Sequence, residues 1–261
     1  MILSLLAAAA LALPTPLDDA RYSALSYKLG TAAFVLPAGT HLVAQSKGPG
    51  FQGIALEELP SRRVVVAFTG TQTDDVDDVL ADLGVGKSIA LGLESSLVKK
   101  LASIAGDSGK TTALNRTTLR DNKALRAQVA AATAFEKEVI ATGKHQDGKP
   151  VLATEVRLTG HSLGGFLAQV VAVRASLPAT TFNAPGATAY LDPGATAHIV
   201  NHMRAHDIVG RVGNHVGNLV LYSDVKVQWT NLKERYVIRN HSIDGLVTDL
   251  TKQPTGKAGT D

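Results

Sequence analysis

The stretch of this chain best equipped for chemistry is Gly160-His161-Ser162-Leu163-Gly164-Gly165, a serine held between glycines. G-x-S-x-G placed between a strand and a helix is the pattern of a nucleophile elbow, a tight turn that pushes a serine hydroxyl out at the top of a sheet. Both flanks fit. Glu155–Thr159 alternates polar and apolar after the boundary at Pro150, and Leu163, Phe166, Leu167, Val170, Val171 and Val173 fall at helical spacing. Gly160 and Gly164 let the strand and helix backbones approach where a Cβ would clash. The plain alternative is a glycine-rich turn that only joins a strand to a helix. The strand before it and the apolar stripe after it argue against that alternative.

A serine hydroxyl is a weak nucleophile alone, so the chain must also supply a histidine base and an acid to orient it. The negative charge of a tetrahedral intermediate needs donors, and the N–H of Leu163, opening the helix after the serine, is the expected one.

The elements that must position these groups alternate between strand and helix. Leu17–Leu29 reads as a helix with Asp18 and Asp19 near its start and Gly30 as its stop. Thr40–Ala44 and Gly53–Leu56 read as short strands, and Arg63–Phe68 as a buried central strand. Thr73–Leu83 has a threonine cap followed by aspartates and predicts a helix. Residues 84–122 form a Leu-, Gly-, Ser- and Lys-rich excursion. Lys123–Ala141 is a further helix. Strands are expected at Thr180–Phe182, His198–His202, Leu219–Tyr222, Val225–Trp229 and Tyr236–Ile238, with a polar tail over 253–261.

Length and composition allow one domain with a full core: 261 residues, 45% hydrophobic, 19% charged. The net charge of +3 is spread without a run of basic residues, so no nucleic-acid footprint is present. A mild attraction to anionic surfaces, lipid headgroups included, is compatible with it. The absence of cysteine excludes disulfides, thiolate metal sites and a cysteine nucleophile. Residues 1–16 carry an apolar run, Ile2–Leu13, too short to span a bilayer as a helix. With Ala10-Leu11-Ala12 as a cleavage-like site it reads as a signal peptide lacking a positive start, which implies a secreted or periplasmic protein. A buried N-terminal helix, in a cytoplasmic protein, is the alternative. Gly109-Lys110-Thr111 and Gly86-Lys87-Ser88 imitate the end of a phosphate-binding loop, but the required earlier glycine is replaced by Ile104 and Ala81.

Several ordered blocks resemble the class 3 (fungal-lipase-like) lipase family of the α/β-hydrolase superfamily, most closely its bacterial members. Val65-Val66-Ala67-Phe68-Thr69-Gly70-Thr71 resembles the family's strand ending in Phe-Arg-Gly-Thr/Ser, with Thr69 in place of arginine. The elbow matches, Thr181-Phe182-Asn183-Ala184-Pro185-Gly186 is similar to a Thr-Phe-Gly-x-Pro turn, and Asp207-Ile208-Val209 resembles the block carrying the acid. His241 sits where the family's late histidine falls. The resemblance implies an α/β-hydrolase fold over 17–252, a central, mostly parallel sheet flanked by helices, with a lid-like insertion at about 84–122. It implies Ser162 as nucleophile, Asp207 as acid, His241 as base, and Thr71 beside Leu163 in the oxyanion hole. The chain order Ser, Asp, His is that of an α/β-hydrolase.

The implied activity is hydrolysis of acyl esters or lipids, lipase or phospholipase A1-like, through an acyl-enzyme and without metal or cofactor. Contact with a lipid interface belongs to that reading. Esterase or acyltransferase activity on small soluble esters, and a non-catalytic binding domain, are the alternatives. Rivals for individual roles exist. His215, in a Gly-rich loop just after Asp207, competes as base. Asp192 and Asp224 compete as acid, though Asp192-Pro193-Gly194 reads as a turn. His198, His202 and His206 recur every fourth residue in a strand-like stretch and read as satisfied side chains rather than metal ligands. His161 reads as a packing residue under the elbow.

Overall fold

A computed structural model describes residues 15–71, 114, 116–205, 207, 209–223 and 240–252. The expected helix at Thr73–Leu83, most of the 84–122 insertion, the strands at Val225–Trp229 and Tyr236–Ile238, Asp224, His206, and both the N-terminal apolar run and the C-terminal tail lie outside them.

Seven strands form one sheet in chain order: β1 (Thr40–Gly48), β2 (Phe51–Glu58), β3 (Arg63–Phe68), β4 (Val156–His161), β5 (Ala179–Phe182), β6 (Ile199–Arg204) and β7 (Asn218–Tyr222). The first three are antiparallel neighbours, and β3 through β7 run parallel. Parallel neighbours need crossovers, and helices supply two of them. Between β3 and β4 lie α2 (Arg116–Asp121) and α3 (Lys123–Thr142), and between β4 and β5 lies α4 (Leu163–Ala175). The helices α1 (Pro16–Ser26) and α5 (Ile243–Lys252) frame the sequence of elements.

Both faces of the sheet are covered at β3, which is why that strand reads as an unbroken apolar run. Val64, Val66 and Phe68 face α3 and α4, joining Val129, Phe135, Phe166 and Val170 in the main core. Val65 and Ala67 face the other way, against Tyr22, Leu25 and Leu29 of the α1 region. Leu246 and Leu250 of α5 pack with Ala20 and Phe182 on that same side.

The elbow strand differs from its sequence pattern in an instructive way. Alternation over Glu155–Thr159 predicts one wet face, yet every residue of β4 is buried. Helix α1 covers the polar face and pairs with it. Arg157 Nε donates to Asp19 Oδ1 at 2.9 Å, and its two terminal nitrogens reach Glu58 at 2.9 and 2.7 Å. Thr159 Oγ1 lies 2.9 Å from Ser23 Oγ and donates to the Thr180 carbonyl at 2.8 Å.

Other boundaries shift for local reasons. Helix α1 starts at Pro16 because Thr15 and Asp18 form a capping box. It ends at Ser26, short of Leu29, in a turn leading to Gly30 at φ 79°. Strands β1 and β2 run on into a hairpin across Gly48–Phe51. Helix α5 has no counterpart in the sequence reading, although Ile243, Leu246, Val247 and Leu250 carry helical spacing. The end of the 84–122 segment is packed down. Leu119 of α2 is buried, and Arg116 and Arg120 hold the carbonyls of Leu191 and Tyr190 and both pair with Asp192.

Candidate active site

Pairing of Phe68 with Gly160, of His161 with Phe182 and of Phe182 with His202 brings the C-terminal ends of β3, β4, β5 and β6 level. Ligands of open α/β sheets bind beyond such strand ends. Ser162 leaves β4 there at φ 57°, ψ −133°, and is the N-cap of α4. Few non-glycine residues adopt that conformation, and its cost is held by the surroundings. The Ser162 N–H donates to the Phe182 carbonyl at 3.0 Å, and its own carbonyl accepts from Gly165 and Phe166 at 3.0 and 3.2 Å. A methyl group on Gly160 would strike the Gly164 carbonyl, and one on Gly164 would strike the Phe68 carbonyl. Helix α4 opens at Leu163, the first residue of the apolar stripe, with Gly164 and Gly165 in its first turn.

The structure brings three of the sequence-nominated side chains together. His241 Nε2 lies 2.9 Å from Ser162 Oγ, and His241 Nδ1 lies 2.8 Å from Asp207 Oδ2. Asp207 is fully buried, and its other oxygen accepts the Gly210 N–H at 2.7 Å. A carboxylate that accepts from Nδ1–H fixes the imidazole in the tautomer that leaves Nε2 free to take a proton from the serine.

The described rivals for these roles have other partners. His215 Nε2 lies 2.8 Å from the Ala184 carbonyl, which can only accept, so that nitrogen carries a proton and is engaged there. Burial holds the His215 pKa below the ordinary imidazole value. Asp192 stands exposed between Arg116 and Arg120. His202 is stacked on Phe182 and bonded through Nδ1 to the Tyr222 hydroxyl at 2.8 Å. Among the described residues no group of three or more His, Asp or Glu side chains is arranged to hold a metal ion, and no helix is long and apolar enough to cross a membrane.

The segment nominated for the oxyanion hole runs beside the elbow. A Cβ on Gly70 would come 3.0 Å from Ser162 Cβ and 2.7 Å from the His161 carbonyl, which sets Gly70 against the serine turn. Leu163 opens α4, so its N–H is one of the first-turn donors without an intrahelical acceptor. Support for the loop that carries Thr69 comes from Gln52, whose carbonyl accepts the Thr69 N–H at 3.0 Å.

Two residues missed in the sequence line this arrangement. Tyr27, just beyond α1, accepts the Gly70 N–H at 3.1 Å and lies 2.9 Å from His161 Nδ1. Asn183, in left-handed conformation at φ 44°, donates to the carbonyls of Asn240 and His241 at 2.9 and 3.2 Å and accepts the Arg204 N–H at 3.0 Å. Asn183 stands in the block Thr181–Gly186, so its position was legible and its role was not. His161, read as a packing residue, is buried. Both of its ring nitrogens are bonded, Nε2 reaching the His241 carbonyl at 2.6 Å.

Sheet order, the antiparallel start followed by parallel strands, the helices on both faces and the strand–serine–helix turn define an α/β-hydrolase fold. No protein-family model matches the sequence, and no curated protein is significantly similar to it. Among solved structures, the chain is similar to a Rhizomucor miehei lipase in its propeptide complex, with TM-score 0.45 and 15% identity over 79% of this chain and 67% of that one. It is also similar to a lipase from Rhizopus microsporus var. chinensis, with TM-score 0.45 and 14% identity over 86% of this chain and 84% of the other. A triacylglycerol lipase from Penicillium expansum aligns with TM-score 0.39 and 15% identity over 86% of each chain.

Proposed function

We propose that the protein is a serine carboxylic-ester hydrolase, lipase or phospholipase A1-like, with Ser162 as nucleophile, His241 as general base and Asp207 as its orienting acid. The observation that carries this reading is the continuous chain from Ser162 Oγ through His241 to a buried Asp207, at 2.9 and 2.8 Å.

In the proposed reaction Ser162 Oγ attacks the ester carbonyl while its proton passes to His241 Nε2. The oxyanion is received by the N–H of Leu163 and by Thr71. Collapse breaks the bond to the alcohol, which leaves with the proton from His241, and an acyl-Ser162 remains. Water, deprotonated by His241, then attacks the acyl carbon and releases the acid. Asp207 stabilises the imidazolium at each stage.

Acyl lipids or glycerophospholipids are the proposed substrates, met at a lipid interface. This part rests on the resemblance of the motif blocks to the class 3 lipase family, bacterial members above all, and not on the site geometry, which fits any accessible ester. Export is proposed with it, from the apolar run at Ile2–Leu13.

Hydrolysis of a p-nitrophenyl ester series from acetate to palmitate tests both parts. Activity that Ser162→Ala abolishes, rising toward long acyl chains, is the expected result. Undiminished hydrolysis by Ser162→Ala would overturn the assignment, and activity confined to acetate would overturn the lipid substrate alone.

A further inference from the structure

Four segments distant in sequence meet around His161. The ring is buried, and the two atoms that its nitrogens face determine its proton. The His241 carbonyl can only accept, so Nε2 carries the hydrogen across the 2.6 Å contact. Burial, with His241 nearby as a second influence, keeps the ring's pKa well below the ordinary imidazole value, so Nδ1 is left as an acceptor. The Tyr27 hydroxyl, 2.9 Å away, fills that role as donor, and burial likewise keeps it protonated by raising its pKa. Its oxygen in turn accepts the Gly70 N–H at 3.1 Å.

The result is one directed chain: Gly70 N–H to Tyr27 hydroxyl, Tyr27 O–H to His161 Nδ1, His161 Nε2–H to the His241 carbonyl. Every donor meets an acceptor and no proton is left over. Bonds arranged head to tail in this way polarise and reinforce one another.

What the chain joins matters more than its strength. Gly70 precedes Thr71, the nominated oxyanion donor. His161 precedes Ser162 in the same turn. His241 presents Nε2 to Ser162 Oγ at 2.9 Å. The frame is anchored by α1, which is fixed to β4 through Asp19–Arg157 and Ser23–Thr159. Asn183 holds the His241 carbonyl from a second side.

We propose that Tyr27 and His161 are positioning residues for the ester hydrolysis described above, registering the oxyanion segment and the base against the nucleophile through this hydrogen-bond chain. The inference rests on the hydrolase reading and adds to it. Neither residue touches substrate or exchanges a proton with it. Their effect is to hold donor, nucleophile and base to the sub-ångström tolerance that attack on a carbonyl demands.

The test compares Tyr27→Phe, His161→Phe and the double variant on a p-nitrophenyl ester, with active sites counted by a fluorophosphonate that labels the serine. Tyr27→Phe should lower kcat per active site by about tenfold, and His161→Phe by about a hundredfold, with KM unchanged. Because one chain is broken twice, the double variant should be no slower than His161→Phe alone, not slower by the product of the two. His161→Gln, which can keep a donor toward the His241 carbonyl, should recover part of the loss.

Multiplicative losses, or a kcat indifferent to Tyr27→Phe, would overturn the positioning role. Nitrogen-15 imidazole shifts of the unmodified protein supply a reading that needs no variant to fold. They should show His161 neutral with hydrogen on Nε2 at about pH 6.5, where an ordinary imidazole is half charged, and a charged ring or an Nδ1–H tautomer would overturn the chain. An unmodified protein without any Ser162-dependent hydrolysis would sink the hydrolase reading and this inference together. Hydrolysis that ignores Tyr27 and His161 would sink this inference only.

Discussion

Asp207 Oδ2 lies 2.8 Å from Nδ1 of His241, and the carboxylate has no exposure to solvent. A buried acceptor in that place selects the Nδ1–H tautomer and favours the imidazolium when it forms. Asparagine has nearly the same shape but can present its N–H₂ to Nδ1, which leaves the ring with the wrong nitrogen protonated. Asp207→Asn is therefore expected to fold and to bind substrate, with KM little changed, while kcat falls by about 10³–10⁴-fold. Steady-state kinetics on a soluble ester check this, and a kcat within tenfold of the unmodified protein would remove Asp207 from its role.

The elbow makes a separate prediction about folding. A methyl group on Gly164 would be driven into the Phe68 carbonyl, which is backbone at the end of a central strand and cannot rotate away. Gly164→Ala should cost about 3 kcal/mol of stability, at the upper end of overpacking effects, and should displace Ser162 from its strained turn. Gly48→Ala provides the control, since nothing lies within 4 Å of a Cβ there. Denaturant titration of the two variants should separate them clearly, and equal midpoints would show that the elbow tolerates the extra carbon.

The sequence disclosed the parts of this site that rest on local pattern. The Val64-Val65-Val66 run marks a strand covered on both faces, and the glycines around Ser162 mark a turn too tight for side chains. Asp207 and His241 could be nominated because their order and their surrounding blocks resemble a known arrangement. What stayed hidden depends on partners far along the chain. Arg157 looks like the wet position of an amphipathic strand until Asp19 and Glu58 arrive from α1 and β2 to neutralise it. His161 looks like filler until Tyr27, 134 residues earlier, reaches its ring. No periodicity announces a contact of that kind. Helix α5 is a different case, because Leu246 and Leu250 carry ordinary helical spacing and the signal was available.

Acid should destabilise this fold in a window set by histidines that are buried neutral. His202 lies between Phe182 and Tyr222 with little solvent exposure, and burial pushes its pKa down to about 4 from an ordinary 6.5. Between those values the unfolded chain binds a proton that the folded chain refuses, so unfolding takes up protons and stability rises with pH. The stabilisation is complete above about pH 6.5 and is lost progressively as pH falls toward 4, an effect of about 3 kcal/mol for this residue. His161 and His215, also lowered by burial, act in the same direction. Glu136 and Asp19, whose pKa values burial raises, act in the opposite one. The share of His202 is therefore best read as a difference. His202→Phe keeps an aromatic ring between Phe182 and Tyr222 and removes the titrating group. Unfolding free energies measured from pH 8 to pH 4.5 should fall less steeply for His202→Phe than for the unmodified protein. Identical slopes would show that His202 protonates in the folded state as easily as in the unfolded one, against the burial described for it.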